Sequence, residues 1–149
     1  MIRKVQHRNE VEMNILLINH YAGSPDMGME FRPYYMARNW VKEGHRVFII
    51  AGDYSHLRKN NPVVNRDFEK ENIGGVHYIW IKTGTYEGNG AKRAASMARF
   101  VSKLWIKAER IAKGVKPDVV IASSTYPLDT YIARRIRYFS KAAYIHEIH

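Results

Sequence analysis

The chain predicts an α/β domain of Rossmann-like type, a mostly parallel sheet with helices on both faces. Three observations lead there. Short Ile-, Leu- and Val-rich runs of strand length recur along the sequence, segments of helical apolar period separate most of them, and each run ends in a loop of glycine, proline and polar residues. A length of 149 residues suits one domain with one core, and 46% apolar with 26% charged residues is a globular composition.

The first run, "MNILLIN" at 13–19, reads as a buried strand, and residues 1–12 before it read as a flexible leader outside the fold. The loop "HYAGSPDMGMEF" follows. Pro33, Met36, Ala37, Trp40 and Val41 then recur at three- and four-residue spacing, one buried helix face, with Pro33 placing the start near Phe31 and Gly44 supplying the stop. "RVFIIAG" at 46–52 is the second strand, which makes a βαβ unit with parallel strands. The polar stretch 52–67 is a loop, expected to be mobile.

A hairpin-like excursion is predicted near 67–83, turning at Gly74-Gly75. In its second strand Val76, Tyr78, Trp80 and Lys82 face one way, His77, Ile79 and Ile81 the other. One long helix is expected over 91–112, with Met97, Val101, Leu104, Trp105, Ala108, Ile111 and Ala112 on its buried stripe and Lys92, Arg99, Lys103, Lys107, Arg110 and Lys113 opposite. "KPDVVIASS" at 116–124 is a strand whose two serines fall where a parallel strand meets its ligand-facing loop. A helix over 127–139 and a last strand, "AAYIHEI", complete the domain.

Cysteine is absent, which removes disulfides, thiol catalysis and thiolate metal sites and fits a reducing compartment. The chain shows no signal-peptide pattern and no apolar run near the roughly 18 residues of a membrane span, so a cytoplasmic protein is expected. No GxxxxGK[ST], HExxH, GxSxG or DxD occurs, and no metal site is expected. Lys and Arg number 24 against 14 Asp and Glu, a formal charge of +10 that attracts polyanions: nucleic acid, phosphorylated substrates or an acidic lipid surface. Nucleic acid is the least favoured, since the aromatic residues form no stacking motif. Lys103, Lys107, Arg134 and Arg135, beside Arg137, are the candidate membrane-facing residues, with an ordinary solvated helix face as the competing reading.

Gly28 stands just before a helix, where free backbone N–H groups and the helix dipole favour an anion; it also reads as a glycine that only permits a turn. Asp53 lies about 30 positions from Gly23, too far for the usual ribose-binding acid of a dinucleotide fold, near 20. His146 and His149 bracket Glu147 at a strand end, where an imidazole can serve as acid, base or donor to a hydroxyl, or be purely structural.

Taken together, "MNILLINHYAGSPDMGMEFRPYYMARNWVKEGHRVFIIAG", "IGGVHYIWIKT", "KPDVVIASSTYPL" and "YIHEIH" resemble the N-terminal domain of bacterial glycosyltransferase family 4, of the GT-B fold. The resemblance covers 13–149. It implies a retaining enzyme of two Rossmann-like domains in which a nucleotide-diphosphate sugar is the donor and the acceptor is lipid-linked or a growing polysaccharide. It maps the donor-phosphate loop onto Gly28 and Met29 and a sugar-contacting histidine onto His149 or His146, while the acceptor-side candidates His20, Tyr21, Ser124, Tyr126 and His149 are chosen for their place at strand ends or in the loops just beyond them. It implies no metal or other cofactor. The family's glutamate-rich donor motif belongs to a C-terminal domain, so the chain is expected to be the acceptor-side half, inactive alone and peripheral at the inner membrane face. The alternatives are a non-catalytic Rossmann-like module that binds anionic lipid or nucleic acid, and a dinucleotide-dependent oxidoreductase.

Overall fold

The computed structural model describes residues 11–28, 31–88 and 90–148. Strand β1 (Asn14–Ile18) is followed by helix α1 (Phe31–Lys42), β2 (Arg46–Gly52), β3 (Glu69–Ile73), β4 (Val76–Ile81), α2 (Ala91–Ile106), α3 (Ala108–Val115), β5 (Val119–Ala122), α4 (Asp129–Ser140) and β6 (Ala143–His146). The six strands form one sheet in the order β3-β4-β2-β1-β5-β6. All neighbours are parallel except β3, which runs antiparallel along the β4 edge. This is the Rossmann-like architecture that the sequence predicts.

Strand β1 is central, with Leu16 level with Phe48 of β2 on one side and Val120 of β5 on the other. Buried on both faces, it must be apolar at every position, which is why "ILLI" does not alternate. Leu16 and Ile18 enter a core with Phe48, Ile50, Ile79 and Ile81 under α2, α3 and α4. Ile15 and Leu17 enter the opposite core with Ile49, Tyr78 and Trp80, where Ala37 presents α1. The alternation expected along β4 is therefore the one found.

Helix α1 stops where the sequence places the stop. Gly44 takes the left-handed conformation (φ 97°), its N–H donates to the Val41 carbonyl at 3.0 Å and that of His45 donates to Trp40 at 3.0 Å, a paired closure that satisfies two orphan carbonyls. The β3–β4 turn uses Gly74 and Gly75, both at positive φ (60° and 89°), as a tight hairpin requires.

The long helix of the sequence reading is corrected in two respects. It is broken at Lys107 into α2 and α3, and its buried line runs through Ser96, Phe100 and Leu104 rather than through Met97, Val101 and Trp105. Four-residue steps drift roughly 40° each around a helix of 3.6 residues per turn. The break lets Ala108, Ile111, Ala112 and Val115 return to the core after that drift. Trp105 is left 43% exposed.

The segment 53–67 has no regular structure, yet it is pinned. Buried Arg58 donates to the carbonyls of Gly52 (2.9 Å) and Ala22 (2.7 Å), with its guanidinium carbon 5.3 Å from the Trp80 ring centre. Asp53 accepts from the Thr83 N–H (2.8 Å) and hydroxyl (3.1 Å), a structural role in place of the ribose contact weighed for it.

Phe100→Ala is expected to cost about 3–5 kcal/mol in urea unfolding by opening a cavity. Trp105→Ala is expected to cost about 1 kcal/mol, since that ring is half exposed. Equal losses for the two would reject the assigned helix face.

Candidate functional site

The carboxyl ends of β1 and β5 lie side by side, while the chain leaves β1 for the α1 face and β5 for the α4 face. Open α/β sheets form their ligand crevice at this kind of divergence. Residues far apart in sequence close its floor. Asn19 donates through Nδ2 to the Ser123 carbonyl (2.9 Å) and accepts the Tyr21 N–H (3.1 Å). The His20 N–H donates to Ser124 Oγ at 3.0 Å, and the Ser124 N–H donates to Asp129 Oδ2 at 2.7 Å. Asn19, His20, Ser123, Ser124 and Asp129 are all buried.

His20 is wholly enclosed. Its ring stacks between Tyr21 (4.4 Å between centres) and Phe100 (4.5 Å), and Nδ1 is 2.6 Å from the Tyr126 hydroxyl, while Nε2 meets no partner among the described residues. Burial, reinforced by the charges of Arg58 and Arg93, lowers its pKa from 6.5 to about 3. The imidazole is neutral at pH 7 and serves as a fixed dipole rather than a proton acceptor. Burial likewise raises the Tyr126 phenol, with Tyr21 and Asp129 adding to the effect. It lifts the Asp129 carboxyl too, against hydrogen bonds from Ser124 that pull it down.

Above this floor lies an open depression of about 410 Å³, lined by Ser124, Thr125, Tyr126, Pro127, His146 and Glu147 among others. Tyr126 is half-buried and spans both levels, and His146 is exposed. Glu147 accepts from Ser123 Oγ (2.6 Å) and forms an ion pair with Arg32, a residue of the first turn of α1. That pair ties the first turn of α1 to the end of β6, across the crevice.

Of the site residues read from sequence, Ser124, Tyr126 and His146 share the depression. His20 and Tyr21 lie beneath it, so neither is a surface contact in this conformation. Gly28 has φ 87° and closes a 3-10 turn, Pro25–Met27, by donating to Pro25 O at 3.2 Å; a Cβ there would stand 2.9 Å from Lys59 Cγ. Its own N–H is thus engaged in the turn. Met29 and His149 lie outside the described residues. Among the basic candidates, Lys103 is held by Asp67 (3.1 Å) and the Lys82 carbonyl (2.7 Å) rather than offered to solvent, while Lys107 and Arg134 are exposed. The Arg135 Nε donates to the Trp105 carbonyl at 3.0 Å.

Sequence reasoning missed Asp129, Arg32 and Asn19. An acidic residue opening a helix directly after a strand-end serine pair was a usable signal for Asp129. The others depend on pairings that span the whole chain. Among the described residues no group of three or more His, Asp or Glu is placed to hold a metal ion, and no helix is long and apolar enough to cross a membrane.

Fold and site define a Rossmann-like α/β domain with a polar crevice at its topological switch point. No family model matches the chain, and no curated protein matches it. Among solved structures, it is similar to the C-terminal domain of a hydrogenase from Pyrococcus furiosus, at 16% identity over 95% of this chain and 97% of that one, with a TM-score of 0.47.

A histidine with a depressed folded pKa binds fewer protons than the unfolded chain below pH 6.5, so its contribution to stability is full above that pH and is lost as pH falls toward 3. His20→Gln should therefore flatten the acid limb of the stability profile, by up to about 1.4 kcal/mol per pH unit. Identical slopes in the two proteins would show that His20 is not buried neutral. Separately, a Cβ on Gly52 would sit 2.6 Å from His20 Cδ2, so Gly52→Ala is expected to lower unfolding stability by about 1–3 kcal/mol. An unchanged denaturation midpoint would reject that packing.

Proposed function

We propose that this domain is the acceptor-side half of a retaining glycosyltransferase, which moves a sugar from a nucleotide-diphosphate donor to a lipid-linked or polysaccharide acceptor in cell-surface glycan synthesis at the cytoplasmic membrane face. The observation that carries the reading is the switch-point depression, where Ser124, Tyr126 and His146 gather from the ends of β5 and β6. A sugar is recognised by directional hydrogen bonds to hydroxyls and by apolar contact, and this depression supplies hydroxyl, phenol, imidazole and the ring of Pro127.

The roles follow from placement. Tyr126, its hydroxyl anchored on neutral His20, presents its ring as an apolar contact for the acceptor. His146, exposed at the strand end, is the imidazole open to the reacting sugar. Arg32 brings a guanidinium to the rim, where the donor diphosphate would lie beside the loop of Gly28 and Met29, and basic side chains with backbone dipoles meet its charge. In this reading a donor-binding domain packed against this one completes the crevice. Support comes from the resemblance of the first loop, "KPDVVIASS" and "YIHEIH" together with a crevice lined on one side.

The second reading, a non-catalytic module that docks on anionic lipid, draws on exposed Lys107, Arg134 and Arg137 with exposed Tyr131 and Tyr138.

The test is NMR titration of the domain with a polyprenyl-phosphate sugar in detergent and with a panel of UDP- and GDP-hexoses. The expected result is amide shifts confined to residues 20–28, 123–126 and 146–147, strongest for the acceptor analogue. Transfer of labelled sugar should arise only when a donor-binding domain is joined, and should fall at least about 100-fold in His146→Ala. Shifts absent from those amides, or a thermal shift produced by NAD instead, would overturn the assignment.

A further inference from the structure

A narrow apolar slot lies between α3 and the β3–β4 side of the sheet, at the opposite edge from β5, β6 and the crevice. Its volume is about 190 Å³. Phe48, Phe68, Ile79, Ile111 and Val115 form its walls, and its charged lining residues, Lys70 and Arg110, are exposed and mark its mouth. Gly114 belongs to the same lining, and a Cβ there would meet no atom within 4 Å. Phe68 takes φ 64°, a left-handed conformation that a bulky residue adopts at a cost, with its ring packed against the core beside the slot.

The slot is cationic because β3 sorts its charges by face. Lys70 pairs with Ile79 and Asn72 with His77 on the side of α3. Glu69 and Glu71 pair with Trp80 and Tyr78 on the other side, where Glu71 accepts from Trp80 Nε1 at 2.8 Å and Glu69 from the Asn65 N–H at 2.7 Å. Asp67, next to Phe68 in sequence, is paired with Lys103 at 3.1 Å, and Glu109, next to Arg110, with Lys113 at 2.9 Å. Among the described residues no carboxylate lines the slot. Arg46 lies 5.4 Å from the Phe48 ring centre, and His77 stacks on that ring at 5.0 Å. Burial, and then the charges of Arg46 and Lys70, lower the His77 pKa, so the imidazole is neutral at pH 7 and the charges it feels are cationic.

We propose that this slot binds a small amphiphilic carboxylate, with its apolar body between Phe68, Ile79 and Ile111 and its head against Lys70 and Arg110. A dry cavity of roughly 150 Å³ takes up benzene, so the volume here suits a body of about six to eight carbon atoms. Apolar walls exclude water and strengthen the pairing of a carboxylate with two cations. A hydrated phosphate or a nucleic-acid backbone would leave those walls unused, and a neutral hydrocarbon would gain nothing from the cations. The site is independent of glycosyl transfer, and its failure would leave that reading untouched.

The experiment is an amide NMR titration of the full chain with sodium octanoate, beside acetate, octanol and inorganic phosphate. Octanoate is expected to shift the amides of Phe68, Lys70, Ile79, Ile111 and Gly114 and to bind at least about tenfold more tightly than octanol, with no saturable shift from acetate or phosphate. Lys70→Gln/Arg110→Gln should weaken octanoate about tenfold and leave octanol unchanged, a split that a merely structural role would not produce. Gly114→Leu, at an exposed helical position, should block both ligands while the melting temperature holds or rises. Octanoate shifts confined to other amides, equal affinities for octanoate and octanol, or octanoate binding unaltered in both variants would each overturn the proposal. Acetate or phosphate saturating the same amides would mark an anion patch only, and dimerisation abolished by Gly114→Leu would give the slot to a second copy; either result rejects it.

Discussion

Strand β1 ends beside β5, the two chains depart to opposite faces of the sheet, and the polar backbone exposed by that divergence must be satisfied in a place sealed from water. An unpaired buried N–H or carbonyl costs about 1–3 kcal/mol, so the gap has to be filled by side chains of matching shape and hydrogen-bonding sense. Asn19 answers Ser123, Ser124 answers His20, and Asp129 answers Ser124. The result is a buried polar seam that locks the ends of β1, β5 and α4 together. Both the apolar cores below and the open depression above take their positions from it.

The seam also decides what the crevice can do. His20 is held neutral by its enclosure, with Nδ1 committed to Tyr126. His146 and the half-buried Tyr126 remain within reach of solvent at this crevice, while His20 fixes where the Tyr126 hydroxyl points. Rigidity below and exposure above are two consequences of one layout, since buried side chains hydrogen-bonded across β1, β5 and α4 have little freedom to rearrange when a ligand arrives.

Strand positions and the hairpin were legible because their signals are local. Gly74-Gly75 supplies two positive φ values, and the alternation of Val76, Tyr78 and Trp80 against Ile79 and Ile81 assigns two cores from six residues. The face of α2 was not legible. Ser96 belongs to the buried line and Trp105 does not, so hydrophobicity alone rotates the stripe by one position, and the break at Lys107 carries no glycine or proline to announce it. At the site, strand ends revealed Ser124, Tyr126 and His146. The bond from Asn19 to Ser123 spans 104 positions and leaves no local trace, and Arg32 meets Glu147 only once the sheet has brought the first and last strands near each other.

The formal charge of +10 takes on a different meaning in three dimensions. Many of the acidic residues are engaged as acceptors inside the fold. Asp53 caps Thr83, Asp118 accepts the Asn14 N–H, Asp129 holds Ser124, Glu71 accepts from Trp80, and Asp67 is shared between Lys82 and Lys103. Few of these carboxylates are left to balance the cations on the helices. The outer faces of α2 and α4 therefore carry more local positive charge than the composition implies, over a range set by the roughly 10 Å screening length of ordinary salt. A surface of this kind is costly to leave facing a second cationic surface and favourable to place against phosphates. The same economy that uses acids to close loops and strand ends thus creates the polarity of the whole domain, with a neutral, hydrogen-bonded crevice at the sheet's carboxyl edge and a cationic, aromatic flank beside it.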